Sequence, residues 1–260
     1  MGETEKKFAF SREHIDAIRL ETQRSSPAEH ERLMRLAREA HHAFLERWGA
    51  YLRNKMSDEE LTNRIIDMDA ETLAWFESYW LRKKKPIAAE DTSEGITEPE
   101  SGFIALKYQR PLAEELWYHF LDEKGRAEYR EIYHLSSDEE GVAKIEEMLN
   151  FDTLSHEISH LYQAEGLQRW FGETGAAFYA EQAKLHRYPR GSVGATLFFH
   201  QASFFKKLLE KYGDLPHRIF FGQATMDEAP EIASEMTPEK EAELFPHWKS
   251  SRKSRKTGKS

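Results

Sequence analysis

The sequence contains no cysteine. Disulfides, thiolate zinc sites, iron–sulfur clusters and cysteine nucleophiles are therefore excluded, and any metal must rest on His, Asp or Glu. Long apolar runs are missing as well. No stretch approaches the roughly 18 apolar residues that span a bilayer, and the opening MGETEKKFAFSREH has no apolar core of signal-peptide length. Lys6 stands where a myristoylation signal requires Ser or Thr. These absences give the expectation of a cytoplasmic protein with no membrane partner. Basic charge is in deficit: 37 Lys and Arg against 46 Asp and Glu leave a net charge of −9, which argues against nucleic-acid binding driven by global charge.

What is present is a folded chain's composition. With 39% hydrophobic and 12% aromatic residues, 260 residues can bury one large core or two small ones. Ser26, Pro27 and Glu29 open a helix over residues 26–54, with Leu33, Leu36, Ala40, Phe44 and Trp48 on one face. Ser57 and Glu60 form a second capping box, ahead of Leu61, Ile65, Met68, Leu73, Phe76 and Trp80 at helical spacing. With a shorter helix near residues 11–24, residues 1–85 read as an α-helical N-terminal region. Arg82 to Lys85 end it as a solvated, basic helix terminus.

Residues 86–102 have few large apolar side chains and several turn formers, and read as a linker or mobile loop. Beyond them GFIALKY (102–108) and EYREIYHL (128–135) read as strands. A helix from Ser136 or Ser137 to Met148, a second over 151–165 before Gly166, a third from Trp170 to Leu185 and a fourth from Ser192 to Tyr212 follow. Trp117, Tyr118, Trp170 and the phenylalanine pairs 198/199 and 204/205 read as core. Thr237-Pro238 opens a short charged helix, and residues 237–260 end in a basic, disordered tail carrying Lys249, Arg252, Lys253, Arg255, Lys256 and Lys259. The expected class is α+β, mostly α.

One segment carries chemistry. FDTLSHEISHLYQAE (151–165) puts His156 and His160 four residues apart on one helix face, where two imidazoles can converge on one cation. Glu157 flanks that face and can reach a water without ligating the ion, as a general base requires. Five letters alone recur by chance in roughly one such chain in twenty, so a third ligand is needed to give the motif weight. Glu173, thirteen residues beyond His160 in a helix with the small Ala176 and Ala177, is the leading choice; Glu181 and Glu165 compete with it.

HEISH followed by Trp170-Phe171-Gly172-Glu173-Thr174-Gly175-Ala176-Ala177-Phe178 resembles the gluzincin metallopeptidases, with their HExxH helix and downstream glutamate helix. Relatives carry Asn or Ser before that glutamate and Gly after it, where Gly172 and Thr174 stand here. The resemblance covers about residues 128–215 and implies a zincin-like metallopeptidase domain over 103–236. It implies that His156, His160 and Glu173 bind Zn2+, and that Glu157 polarises the water attacking a peptide carbonyl. An oxyanion donor is also required; Tyr179, His186, Tyr188 and His200 are on offer, with Tyr188 and His200 the better choices. By the same resemblance EYREIYHL is the edge strand that pairs with an extended peptide or protein substrate. A peptide deformylase also uses HExxH but needs a cysteine ligand. The competing reading is a zincin-fold binding or regulatory module whose metal is structural or vestigial.

Overall fold

The computed structural model of the chain describes residues 27–68, 73–74, 95–97, 102–188 and 199–246. The expected helix at 11–24, Ser26, the basic run 82–85, the start of the helix from Ser192 and the tail beyond 246 lie outside the described residues. Helix α1 spans Pro27–Trp48 and buries Leu33, Leu36, Ala40 and Phe44, the face its periodicity marks. Helix α2 is shorter than the spacing suggests. Its Ser57/Glu60 capping box is formed, but the helix covers only Asp58–Thr62 and closes at Asn63. The β-branched pair that follows belongs to strand β1, Ile65–Met68, which corrects the expectation of continuous helix through residue 68.

Two further strands complete a small sheet: β2, Gly95–Thr97, and β3, Ile104–Lys107. Their order is β1-β3-β2, with β1 parallel and β2 antiparallel to β3. Alternation along the strands serves two faces. Ile65, Ile104 and Leu106 join the main core, while Ile66, Met68 and Ala105 cluster on the other side with Leu73. Residues 95–97, inside the segment read as a linker, are thus an ordered strand paired with β3.

The remainder is helical. Helix α3, Arg110–Glu115, runs into a π-helical turn over Leu116–Phe120 that buries Trp117 and leaves Tyr118 49% exposed, so Tyr118 is not core. EYREIYHL, expected as a strand, lies through Tyr133 in helix α4, Glu123–Tyr133, and His134 closes the helix in the left-handed region. Asp122 caps it by accepting from the Gly125 amide, and Tyr129 and Tyr133 sit four residues apart against the core. The two tyrosines that suggest a strand by composition suit a helix by spacing.

Helix α5, Asp138–Leu161, joins the two helices expected at 136–148 and 151–165 into one of 24 residues, since neither Leu149 nor Asn150 breaks the turn between them. Ser137 caps it, with Asp138, Glu139 and Glu140 in the first turn to complement the macrodipole. It is buried on nearly every side from Gly141 to Ser159, packed by α1, α3, β2 and helix α6, Arg169–Arg187. Against α6 lie helix α7, Phe199–Tyr212, and helix α8, Leu215–Phe220. Gly175 makes the second contact possible: a Cβ there would stand 2.4 Å from the Phe220 ring. Short helices α9, Pro230–Ser234, and α10, Pro238–Leu244, follow. The class is α+β and mostly α. Among the described residues no helix is long and apolar enough to cross a membrane.

Candidate metal centre

His156 and His160 occupy consecutive turns at the C-terminal end of α5, and Glu173 faces them from the second turn of α6. Nε2 of His156 and Nε2 of His160 are 3.1 Å apart. Oε2 of Glu173 lies 3.5 Å from the first and 3.8 Å from the second. Among the described residues this is the group of three metal-ligating side chains whose donor atoms lie within 4.8 Å of one another. Three ligands at ordinary zinc distances of about 2.0–2.1 Å and tetrahedral angles stand about 3.3–3.4 Å apart. The triangle fits.

The tautomers fit as well. Nδ1–H of His160 donates to Gln163 Oε1 at 2.9 Å, so Nε2 of His160 presents its lone pair to the centre. His156 Nε2 faces that lone pair at hydrogen-bond distance, so the gap is filled either by a proton on His156 or by a cation that accepts both nitrogens. Burial opposes charge on Glu173, but the hydrogen bond with His156 and the nearness of His160, His156 and Arg169 hold its carboxyl down at about 2. The group therefore offers two nitrogens and one carboxylate, an ordinary donor set for a divalent ion.

Glu157 is beside this group and not part of it. The residue is 5% exposed. Burial pushes the carboxyl up to about 7 against the lowering influence of His160 and of Thr97. Thr97 of β2 is the surprise of the site: its Oγ1 lies 2.8 Å from Glu157 Oε2 and 2.9 Å from the Glu157 carbonyl oxygen. Gly95, two residues earlier, lets the strand sit down on α5, because a Cβ there would stand 2.7 Å from Thr153 Cγ2 and 3.1 Å from Glu157 Cγ. Below the histidines, Lys184 Nζ and Asp152 Oδ2 form a buried ion pair at 2.8 Å, with Asp152 one turn before His156.

The other acidic choices stand apart. Glu165 is exposed in the loop after α5, and Glu181 lies two turns past Glu173 among Lys184 and Lys206, where burial raises its carboxyl. The oxyanion choices do not join the group either. The Tyr188 hydroxyl donates to Glu147 at 2.9 Å, nine residues and so about 13 Å along α5 from His156. His200 is exposed on α7 near Glu243, His186 is exposed, and the Tyr179 hydroxyl is bonded to His217 Nδ1 at 2.8 Å.

Sequence reasoning missed Gln163, Thr97 and the Asp152–Lys184 pair. Gln163 was legible, since three residues separate it from His160 on a helical path. Thr97 and Lys184 were not, being 60 and 32 residues from their partners. Comparison with family models, with curated proteins and with solved structures finds no match to this chain.

Proposed function

We propose that the chain is a zinc-dependent hydrolase of peptide bonds, a zincin-like metallopeptidase of the gluzincin kind. The observation that supports this reading is the convergence of His156, His160 and Glu173 beside a buried carboxylate, Glu157, on the same helix. A divalent ion held by those three side chains would act as a Lewis acid on the carbonyl oxygen and make water more acidic. The chain supplies the rest. Glu157 takes one proton from the attacking water as the water oxygen bonds to the carbonyl carbon. It then returns that proton to the amine nitrogen as the C–N bond breaks, so one water is consumed and the base is regenerated. Burial raises this carboxyl to about 7 without a cation, and a cation beside it would draw that value down toward the ionised form a base needs.

With residues 128–133 helical, the place for an extended substrate is β2. It is one of the two outer strands of the described sheet, it lies against Glu157, and its outward edge, which pairs with no strand among the described residues, can take a peptide backbone by strand addition.

The test is metal analysis and peptide hydrolysis on purified protein and on Glu157→Gln. The wild type should bind about one zinc per chain and cleave peptides, and lose turnover to a chelator. Glu157→Gln should keep the zinc and lose at least about a hundredfold in kcat, the usual worth of a positioned base. Retained turnover in the variant would refute the role of Glu157, and zinc without hydrolysis in the wild type would favour the binding module.

A further inference from the structure

We infer that Thr97 is a positioning residue for the general base, holding the Glu157 carboxylate in one place and tying it to strand β2 of the sheet. The inference rests on the hydrolase reading for its catalytic meaning, and on the hydrogen bonds alone for its structural one.

A general base must present one oxygen to water in a fixed direction, accept a proton, and surrender it without swinging away. Glutamate has three side-chain torsions, and a hydrogen bond to the carboxylate restrains them. Thr97 supplies that bond. Oγ1 sits between two acceptors of the same residue, Oε2 at 2.8 Å and the backbone oxygen at 2.9 Å. The hydroxyl has one proton and can also accept. With Glu157 ionised, the Thr97 proton goes to Oε2. A proton taken from water goes to the other carboxyl oxygen, Oε1, and Oε2 still accepts from Thr97, so the bond persists through the cycle with no movement of heavy atoms.

The backbone oxygen gives Thr97 a reference point on α5 itself, so the carboxylate is registered against the helix that carries His156 and His160. The strand is held close by Gly95, where a Cβ would overlap Thr153 and press on Glu157. It is fixed laterally by pairing of Gly95, Ile96 and Thr97 with Leu106, Ala105 and Ile104. Anything that adds to or displaces this strand would therefore be felt at the base.

Thr97→Val keeps the branched shape suited to a strand and removes the hydroxyl; Thr97→Ser keeps the hydroxyl. On the zinc-loaded enzyme, Thr97→Val should lower kcat about ten- to hundredfold with KM and zinc content within about threefold of wild type, and Thr97→Ser should recover kcat to within about threefold. A second readout needs neither metal nor turnover. In metal-free protein, the change in unfolding equilibrium constant caused by Thr97→Val should be at least about fivefold larger with Glu157 present than in a Glu157→Leu background. Wild-type kcat in Thr97→Val, or equal effects in the two backgrounds, overturns the inference. Inactive zinc-loaded wild type with strong coupling in the metal-free cycle overturns the hydrolase reading instead, and leaves Thr97 as the residue that fixes the carboxylate.

Discussion

Replacing Lys184 by methionine tests how the ground beneath the two histidines is held. Lys184 Nζ and Asp152 Oδ2 are 2.8 Å apart, with 8% and 7% of their side chains exposed. Attraction at that distance is roughly 6 kcal/mol at an effective dielectric constant of about 20. Removing one partner of such a pair costs about 3–5 kcal/mol, because the other charge is left buried without compensation. Burial already raises the Asp152 carboxyl, with Lys184 pulling it back down. Taking the ammonium away raises it further. A carboxyl with its folded pKa above the unfolded value binds its proton more tightly in the folded state, so its favourable contribution is present at low pH and is lost as pH rises through the folded pKa. The Lys184→Met deficit should therefore be largest at pH 8 and smaller at pH 5. Urea denaturation at both values, in chelator and with the m-value checked for constancy, measures it. Adding Asp152→Asn should recover a substantial part of the loss by deleting the stranded charge. A deficit under about 1 kcal/mol, one equal at both pH values, or no recovery with asparagine would refute this account of the pair.

Gln163→Ala should weaken zinc binding about ten- to hundredfold in a chelator competition, because Nδ1–H of His160 loses the acceptor that fixes its tautomer. His217 provides a pH signature: burial lowers its imidazole to about 4, and the neutral ring accepts from Tyr179. Its folded value lies below the unfolded one, so this stability is complete above about pH 6.5 and lost as pH falls toward 4, by up to about 3 kcal/mol. His217→Gln should flatten the stability profile over that window in denaturant titrations. Gly175→Ala should lower the melting temperature although alanine favours helix by about 1 kcal/mol, since its Cβ would stand 2.4 Å from Phe220 and 3.2 Å from Phe205.

Much of this molecule was set by local sequence. The face of α1 follows from Leu33, Leu36, Ala40 and Phe44 at helical spacing, and the capping box at Ser57 starts a helix where it should. HEISH converges on one side of a helix because residues four apart must, and Glu173 meets it on a helix with small residues along its length. These are short-range consequences of 3.6-residue periodicity.

Tertiary structure decided what periodicity leaves open. Ile65 and Met68 fit a helix by spacing and became strand because Ile104–Lys107 offers them backbone partners 39 residues away. Tyr129 and Tyr133 look like strand residues and became helix, capped by Asp122. Residues 95–97, chemically unremarkable between turn formers, became the strand that touches Glu157. Strand pairing and buried polar contacts are bonds between distant segments, and their energy depends on partners that no local window contains.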